Sequence, residues 1–238
     1  MLFVAQQNNT TFNGAAALSH AMPANAGAYT AGNFVAVLVA LSGTAGGAPI
    51  SLTDSLGNTY TSAIQGNLNS NTLPAGIFFI QSALVGTATI TITASQTWSV
   101  GVMVVLEFSG VAGGLDKTAS STSSSSATIT TGTTAATAQA SELAIALIGD
   151  NPSLSQETFS LPAGYTAEGI AFVANTVEIA TWYQFLAATG TQSATSTPSS
   201  ADANQGGMIA TFAAVAAGAG VPFVPTLPTI PTIPTIYF

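Results

Sequence analysis

The sequence predicts an all-β protein with two tandem antiparallel β-sandwich repeats, of jelly-roll or immunoglobulin-like type, and an extended Pro-rich C-terminal arm. Three observations carry this prediction. Short runs rich in Val, Ile, Thr and aromatic residues recur along the 238 residues, bounded by Gly, Asn, Pro and Ser, as is typical of strands. One series of landmarks occurs twice, and between Pro225 and Pro234 every third residue is Pro. No stretch shows a convincing helical period with caps.

The strands are expected in two sets. Those of the first repeat lie near residues 2–5, 15–20, 33–41, 58–64, 75–82, 87–93 and 98–108. Those of the second repeat lie near residues 126–131, 141–148, 164–173, 176–187, 191–196 and 207–214. The run TATITIT alternates with period two, which indicates a half-buried strand, whereas FVAVLVAL and VGVMVVLEF are apolar on both faces, which is typical of central strands.

The two sets follow one pattern. NFVAVLVAL parallels SELAIALIG, Tyr60 matches Tyr165, and Phe108 matches Phe212, with an offset of 104 to 105 residues over the later landmarks. A repeat of about 100 residues is the usual size of a sandwich of seven or eight strands. The expected organisation is residues 1–112 as the first repeat, 113–216 as the second with a Ser/Thr-rich connector at its start, and 217–238 as the arm. Two sandwiches and one larger jelly roll both remain open.

The composition excludes several classes of function. Charged residues make up 4% of the chain, against roughly 25% in an average soluble domain. Lys117 is the single basic residue beside nine acids, so binding to nucleic acid or to anionic lipid is not expected. There is no cysteine, and no uncharged apolar run reaches the ~18 residues of a membrane span. The N-terminus lacks the charged region of a signal peptide, so we expect synthesis without an export signal.

A family resemblance agrees with this composition. The pattern DSLGNTYT, ATITIT and VLEFSGVAGGLD, followed by SELAIAL, resembles a loosely defined group of repeated β-sandwich proteins from tailed-bacteriophage virions and bacterial surfaces. The resemblance covers about residues 33 to 215. It implies an all-β virion or surface protein and carries no catalytic residues to this chain. A virion protein is made in the host cytoplasm and released by lysis, so it needs no signal peptide.

The C-terminal arm is predicted to bind a partner. Because Pro fixes φ near −65°, Pro at every third position favours polyproline II, in which eleven residues span about 30 Å. Pro, Thr and aliphatic residues then form three separate edges. The partner-binding residues are expected to be the apolar ones: Phe223, Leu227, Ile230, Ile233, Ile236, Tyr237 and Phe238. Such a stripe cannot be covered within its own segment, so it is expected to dock onto another protein.

The sequence predicts no catalytic residue, metal site or cofactor. A serine triad needs a histidine base, and the lone His20 is expected to be structural. Asp54 and Gly57 in DSLGNT, and the segment GDNPS at residues 149–153, are interpreted as turns rather than calcium ligands. Glu107 and Glu178 interrupt apolar strands, but they lie in non-equivalent strands, so solvated faces or subunit contacts are expected for them.

The leading hypothesis is a non-enzymatic virion structural protein of a tailed bacteriophage, a capsid cement or decoration protein anchored through its arm. Its expected partners are the major capsid protein or neighbouring copies, so a homo-oligomer is expected. One alternative is a tail-fibre or receptor-binding protein that recognises host glycans through exposed Glu178, Trp182 and Gln184. A second alternative is an extracellular filament whose subunits exchange arms. A hydrolase would need a pair of acids at glycosidase distance.

Overall fold

The computed structural model describes residues 1–23, 27–43, 49–68, 73–123, 126–152, 155–200 and 204–214. In these ranges all the regular elements are strands, and no helix is long and apolar enough to cross a membrane. The predicted fold class, an all-β chain of two antiparallel sandwich repeats, is confirmed. The predicted arm and its residues Phe223, Leu227, Ile230, Ile233, Ile236, Tyr237 and Phe238 lie outside the described residues.

The strands fall into two consecutive groups. The first group is β1 (Leu2–Pro23), β2 (Phe34–Gly43), β3 (Ile50–Asp54), β4 (Thr61–Asn67), β5 (Pro74–Ile80) and β6 (Thr89–Ser109). The second group is β7 (Val111–Ser123), β8 (Ile129–Thr130), β9 (Glu142–Asp150), β10 (Thr166–Val173), β11 (Val177–Leu186), β12 (Thr195–Ser196) and β13 (Gln205–Ala214).

Each group builds one principal sheet, and the two principal sheets have the same strand order. The first runs β1-β6-β2-β5-β4 and the second runs β7-β13-β9-β11-β10, with antiparallel pairing throughout. The internal repeat therefore extends from sequence to topology. In the pairing register Phe34 lies opposite Phe108, and Leu143 lies opposite Phe212. Since Phe108 matches Phe212, Phe34 corresponds to Leu143 in the structure. The alignment of NFVAVLVAL with SELAIALIG pairs Phe34 with Glu142 instead, so that part of the sequence alignment is wrong by one residue.

A smaller layer covers the outer face of each principal sheet. In the first repeat, β1 and β6 continue beyond the principal sheet, where the start of β6 pairs with β3 on one side and the end of β1 on the other. In the second repeat the corresponding chain is divided into shorter pieces, where β8 pairs with β12 and Phe159 forms a bridge with Pro198. Each repeat is thus a sandwich of one large and one small sheet.

Three apolar clusters fill the spaces between these layers. One lies inside the first sandwich and includes Val35, Val37, Val39, Ile90, Ile92 and Trp98. A smaller one lies inside the second sandwich and includes Ile129, Ala144, Ala146, Ile148, Trp182 and Ile209. The largest lies between the two principal sheets and includes Phe34, Leu38, Phe79, Val104, Phe108, Leu143, Ile145, Leu147, Met208 and Phe212. The runs FVAVLVAL and VGVMVVLEF are apolar on both faces because they border two of these clusters.

The contact between the principal sheets has an approximate two-fold relation. Phe108 of the first repeat lies 5.3 Å from Tyr183 of the second, measured between ring centroids. The equivalent pair with the repeats exchanged is Phe212 and Phe79, at 5.1 Å. The edge strands follow the same rule, because β1 contacts β10 and β4 contacts β7. The two repeats therefore pack as the subunits of an isologous dimer do.

Several strands differ from the prediction. The polar segment after Val111, interpreted as a connector with at most a first strand, forms the 13-residue edge strand β7 along β13. Strand β3 was not predicted at all. The sequence predicted two separate strands in the range of β1 and two in the range of β6. Each pair is one long strand, because bulges let the strand bend from one sheet into the other.

Candidate functional site

Acidic side chains in the described residues are withdrawn from the surface. Five are at most 4% exposed, and three more, Asp54, Asp116 and Glu168, are half-buried. The five buried acids are Glu107, Glu142, Asp150, Glu157 and Glu178. Lys117 is half-buried too, with its Nζ 2.6 Å from Oδ1 of Asp116. In the part of the chain that the structure describes, no Asp, Glu, Lys or Arg side chain is exposed, so the surface is made of neutral residues.

Glu107 is not on a solvated face, so that expectation is wrong. The side chain is 0% exposed and points into the core of the first sandwich. Its Oε1 accepts hydrogen bonds from the backbone N–H of Thr30 at 2.9 Å and from Nδ2 of Asn33 at 2.6 Å. The carboxylate therefore fixes the loop that leads into β2, which is a structural role.

The proposed glycan face is not formed. Trp182 is 2% exposed and Glu178 is 0% exposed, both inside the second sandwich, while Gln184 is half-buried. Trp182 borders a cavity of about 270 Å³, whose other lining residues include Phe159, Ile170 and Ala180. A sugar site needs exposed aromatic and polar groups together, so these residues do not provide the surface that the receptor-binding alternative requires.

The second sandwich contains an acid pair that sequence reasoning missed. Asp150 lies at the end of β9, directly opposite Glu178 in the neighbouring strand, and not in a turn as GDNPS was interpreted. Oε2 of Glu178 accepts a hydrogen bond from the backbone N–H of Glu157 at 3.1 Å, and Ser200 donates to Glu157 in turn. Because Asp150 and Glu178 are both 0% exposed, no polysaccharide can reach them.

Other residues singled out in the sequence are structural. His20 lies between the rings of Phe12 and Trp98, with centroid distances of 3.9 and 4.3 Å, and its Nε2 donates to the carbonyl of Trp98. Among the described residues no group of three His, Cys, Asp or Glu side chains could hold a metal ion.

The turn predicted at DSLGNT is confirmed in detail. Oδ1 of Asp54 accepts from the backbone N–H groups of Leu56 and Asn58, and Oδ2 accepts from Nδ2 of Asn58 and from the hydroxyl of Tyr60, at 2.7 to 3.0 Å. Gly57 has φ of +84°, which favours glycine. Oδ1 of Asn58 then accepts from the backbone N–H of Leu84 at 2.7 Å, so the turn also holds the β5–β6 loop.

This turn forms one wall of a groove where the two repeats meet, which we call the seam groove. It has a volume of about 570 Å³ and is lined by Gly57, Asn58, Thr59, Thr61, Phe79, Ile80, Gln81, Ser82 and Leu84 of the first repeat and by Gly114 and Leu115 of the second. None of these residues is charged. Leu84 and Leu115 are 50% and 39% exposed, so the groove presents apolar side chains to the surface.

Replacing Asp54 with Ala is expected to lower the free energy of unfolding by about 2–3 kcal/mol, because four hydrogen-bond donors lose their acceptor. Asp54→Asn keeps an acceptor for the two backbone donors and is expected to lose about half as much. Urea unfolding of the wild type, Asp54→Asn and Asp54→Ala measures the three free energies of unfolding, which should decrease in that order. Equal stability of Asp54→Ala and the wild type would show that the turn does not depend on this side chain.

Stability is expected to fall between about pH 5 and pH 8. Burial raises the pKa of Glu168, at the β-bulge beside Tyr183, from 4.5 to about 7, and burial also raises the pKa of Glu142. The folded state then holds these protons more tightly than the unfolded chain. The stabilising contribution of Glu168 is complete below pH 4.5 and is lost as the pH rises through 7, and the contribution of Glu142 has the same sign.

The pH effect of Glu168 can be isolated by substitution. Because the side chain is partly exposed, its contribution is expected to be at most about 1 kcal/mol. Glu168→Gln removes the titrating group and keeps the shape, so its melting temperature should change less between pH 5 and pH 8 than that of the wild type. Identical pH profiles of the two proteins would contradict the assignment.

Comparison of the chain with family models, curated proteins and solved structures finds no match.

Proposed function

We propose that this protein is a non-enzymatic structural protein of a tailed-bacteriophage virion, a capsid cement or decoration protein anchored through residues 217–238. The observation that supports the proposal best is the neutral surface, on which no described Asp, Glu, Lys or Arg side chain is exposed. A decoration layer places many identical copies side by side. Identical charged surfaces repel one another at such distances, whereas a neutral Ser/Thr/Asn surface does not.

The buried acids agree with a role without catalysis. The cross-strand pair of Asp150 and Glu178 is closed off from solvent, and Glu107 holds a loop. General acid–base catalysis requires a carboxyl group within hydrogen-bond reach of the substrate. The four-layer body, with three apolar clusters, is suited to mechanical support because its two principal sheets are covered on both faces.

The arm supplies the attachment in this proposal. Its sequence predicts an extended segment with aliphatic side chains on one edge, and Pro lowers the entropy that is lost when such a segment docks. Attachment through an apolar arm and a surface without exposed charged side chains should depend little on ionic strength, because no exposed ion pair forms the contact.

The test compares the full-length chain with a truncation ending at Ala217, each mixed with candidate capsids that lack the protein. Full-length protein is expected to co-sediment with the capsid at about 50 mM salt and at about 500 mM salt. The truncated protein is expected to stay in the supernatant. A full-length protein that binds no capsid, or that grows into long filaments on its own, would overturn the proposal.

A further inference from the structure

We infer that the seam groove is the receptor for the C-terminal arm of a second copy of this chain. The inference rests on the proposed function, since it assumes that the arm is an attachment device, and it names the partner of that arm. It also assigns a use to the groove, which no residue of the described chain fills.

The chain leaves the described body beside this groove. Strand β13 ends at Ala214, which lies opposite Val111 at the start of β7. Two residues earlier, Phe212 lies opposite Leu115, and Leu115 lines the groove. The 24 residues from 215 to 238 therefore begin within a few residues of the groove wall.

The chemistry of the groove fits the chemistry of the arm. Buried Phe79 and Ile80 line the groove, exposed Leu84 and Leu115 lie on its sides, and amides and hydroxyls complete the lining. The arm consists of Pro, Thr and aliphatic residues and ends in Tyr237 and Phe238. No side chain of the groove lining or of residues 215–238 is charged, so no charged side chain must be desolvated when they meet.

The length of the arm favours a neighbouring copy over the same chain. A polyproline II segment from Pro225 to Thr235 spans about 30 Å. A groove of about 570 Å³ accommodates only a few large side chains, so it can hold the end of the arm but not its whole length. The sequence predicts an extended segment from Pro225 onward, which would carry Ile236, Tyr237 and Phe238 beyond their own chain and within reach of the groove of the next copy.

The resulting contact is heterologous, because an arm on one copy meets a groove on another. Such contacts close into rings or continue as open fibres. A closed ring around a symmetry axis of a capsid is compatible with the proposed decoration role, whereas an open fibre is not.

A complementation experiment tests the inference directly. The groove-blocked chain carries Leu84→Asp and Leu115→Asp and keeps its arm, and the armless chain ends at Ala217 and keeps its groove. Each is expected to be monomeric alone in analytical ultracentrifugation. Mixed at equal concentration, they are expected to form a species with the summed mass of one copy of each. Val85→Asp serves as the control, because Val85 is 67% exposed and does not line the groove, so this variant should associate as the wild type does.

The outcomes separate this inference from the proposed function. Circular dichroism and melting curves first establish that all variants are folded. A mixture that stays monomeric, or a groove-blocked chain that associates with itself as the wild type does, overturns the inference. A full-length monomer whose arm contacts its own groove also overturns it. Capsid co-sedimentation is measured separately, so a monomer that binds capsids refutes only the inference, and a ring that binds no capsid refutes only the proposed function.

Discussion

Replacing Phe212 with Ala is expected to lower the free energy of unfolding by about 3–5 kcal/mol. Phe212 is 0% exposed, and its ring lies 4.8 Å from that of Phe34 and 5.1 Å from that of Phe79, measured between centroids. The substitution opens a cavity between the two principal sheets. Because both repeats contribute to this cluster, they should lose stability together and unfold in a single urea transition. Tryptophan fluorescence and circular dichroism both monitor this transition.

The matched control is Phe185→Ala. Phe185 belongs to the same group of rings, 5.2 Å from Tyr183, but is 36% exposed at its margin. Its removal is expected to cost about 1–2 kcal/mol, less than that of Phe212, since about a third of the side chain stays in contact with water and no closed cavity is left. Separate transitions for the two repeats in Phe212→Ala, or equal losses in both variants, would show that the shared core does not couple the repeats.

Gly206→Ala is expected to destabilise the fold by about 3 kcal/mol or more, or to prevent folding. A β-carbon at this position would lie 2.1 Å from the carbonyl oxygen of Leu68 and 2.8 Å from that of Ser121. Both obstacles are backbone atoms, which cannot rotate away. Leu68 belongs to the first repeat and Gly206 to the second, so the glycine permits the close approach of the two repeats at this point.

Gly190→Ala is the control for the glycine substitution. The nearest atom to a β-carbon there is Nε2 of Gln192 at 3.9 Å, an ordinary contact with a flexible side chain. Its effect on the free energy of unfolding is expected to stay within about 0.5 kcal/mol. A Gly206→Ala protein as stable as Gly190→Ala would mean that the sheets can separate freely at Leu68, and the close contact would then have no energetic importance.

The sequence predicted the central strands well because burial on both faces leaves a plain signal. The runs that contain Val37 and Val104 are apolar on both faces, with Glu107 as the one charged residue, and both form central strands of the first principal sheet. Strand β7 was harder to recognise. It is an edge strand of Ser, Thr and Gly that hydrogen-bonds to β13 alone, so its identity depends on a partner some ninety residues away, such as Thr211 opposite Lys117.

The candidate functional sites depend on tertiary structure more than the strands do, so the sequence predicted them less well. The turn at Asp54 is local, and its residues alone predicted it. Asp150 and Glu178 face each other because of the register between β9 and β11, which residue types do not specify. The seam groove joins the turn after β3, the end of β5 and two residues of β7, and only the packing of one repeat on the other brings these together.

The two-fold contact between the principal sheets has an evolutionary consequence. A chain with only one repeat would expose the Phe-rich face that the other repeat now covers, and two such chains could cover it by the same isologous contact. The present protein therefore has the organisation of a homodimer whose two subunits are joined in one chain. Fusion makes their association independent of concentration, and it also frees each half to change its sequence separately. The interiors of the two halves differ accordingly: the second sandwich has a smaller apolar cluster than the first and contains the buried carboxyl groups of Asp150 and Glu178.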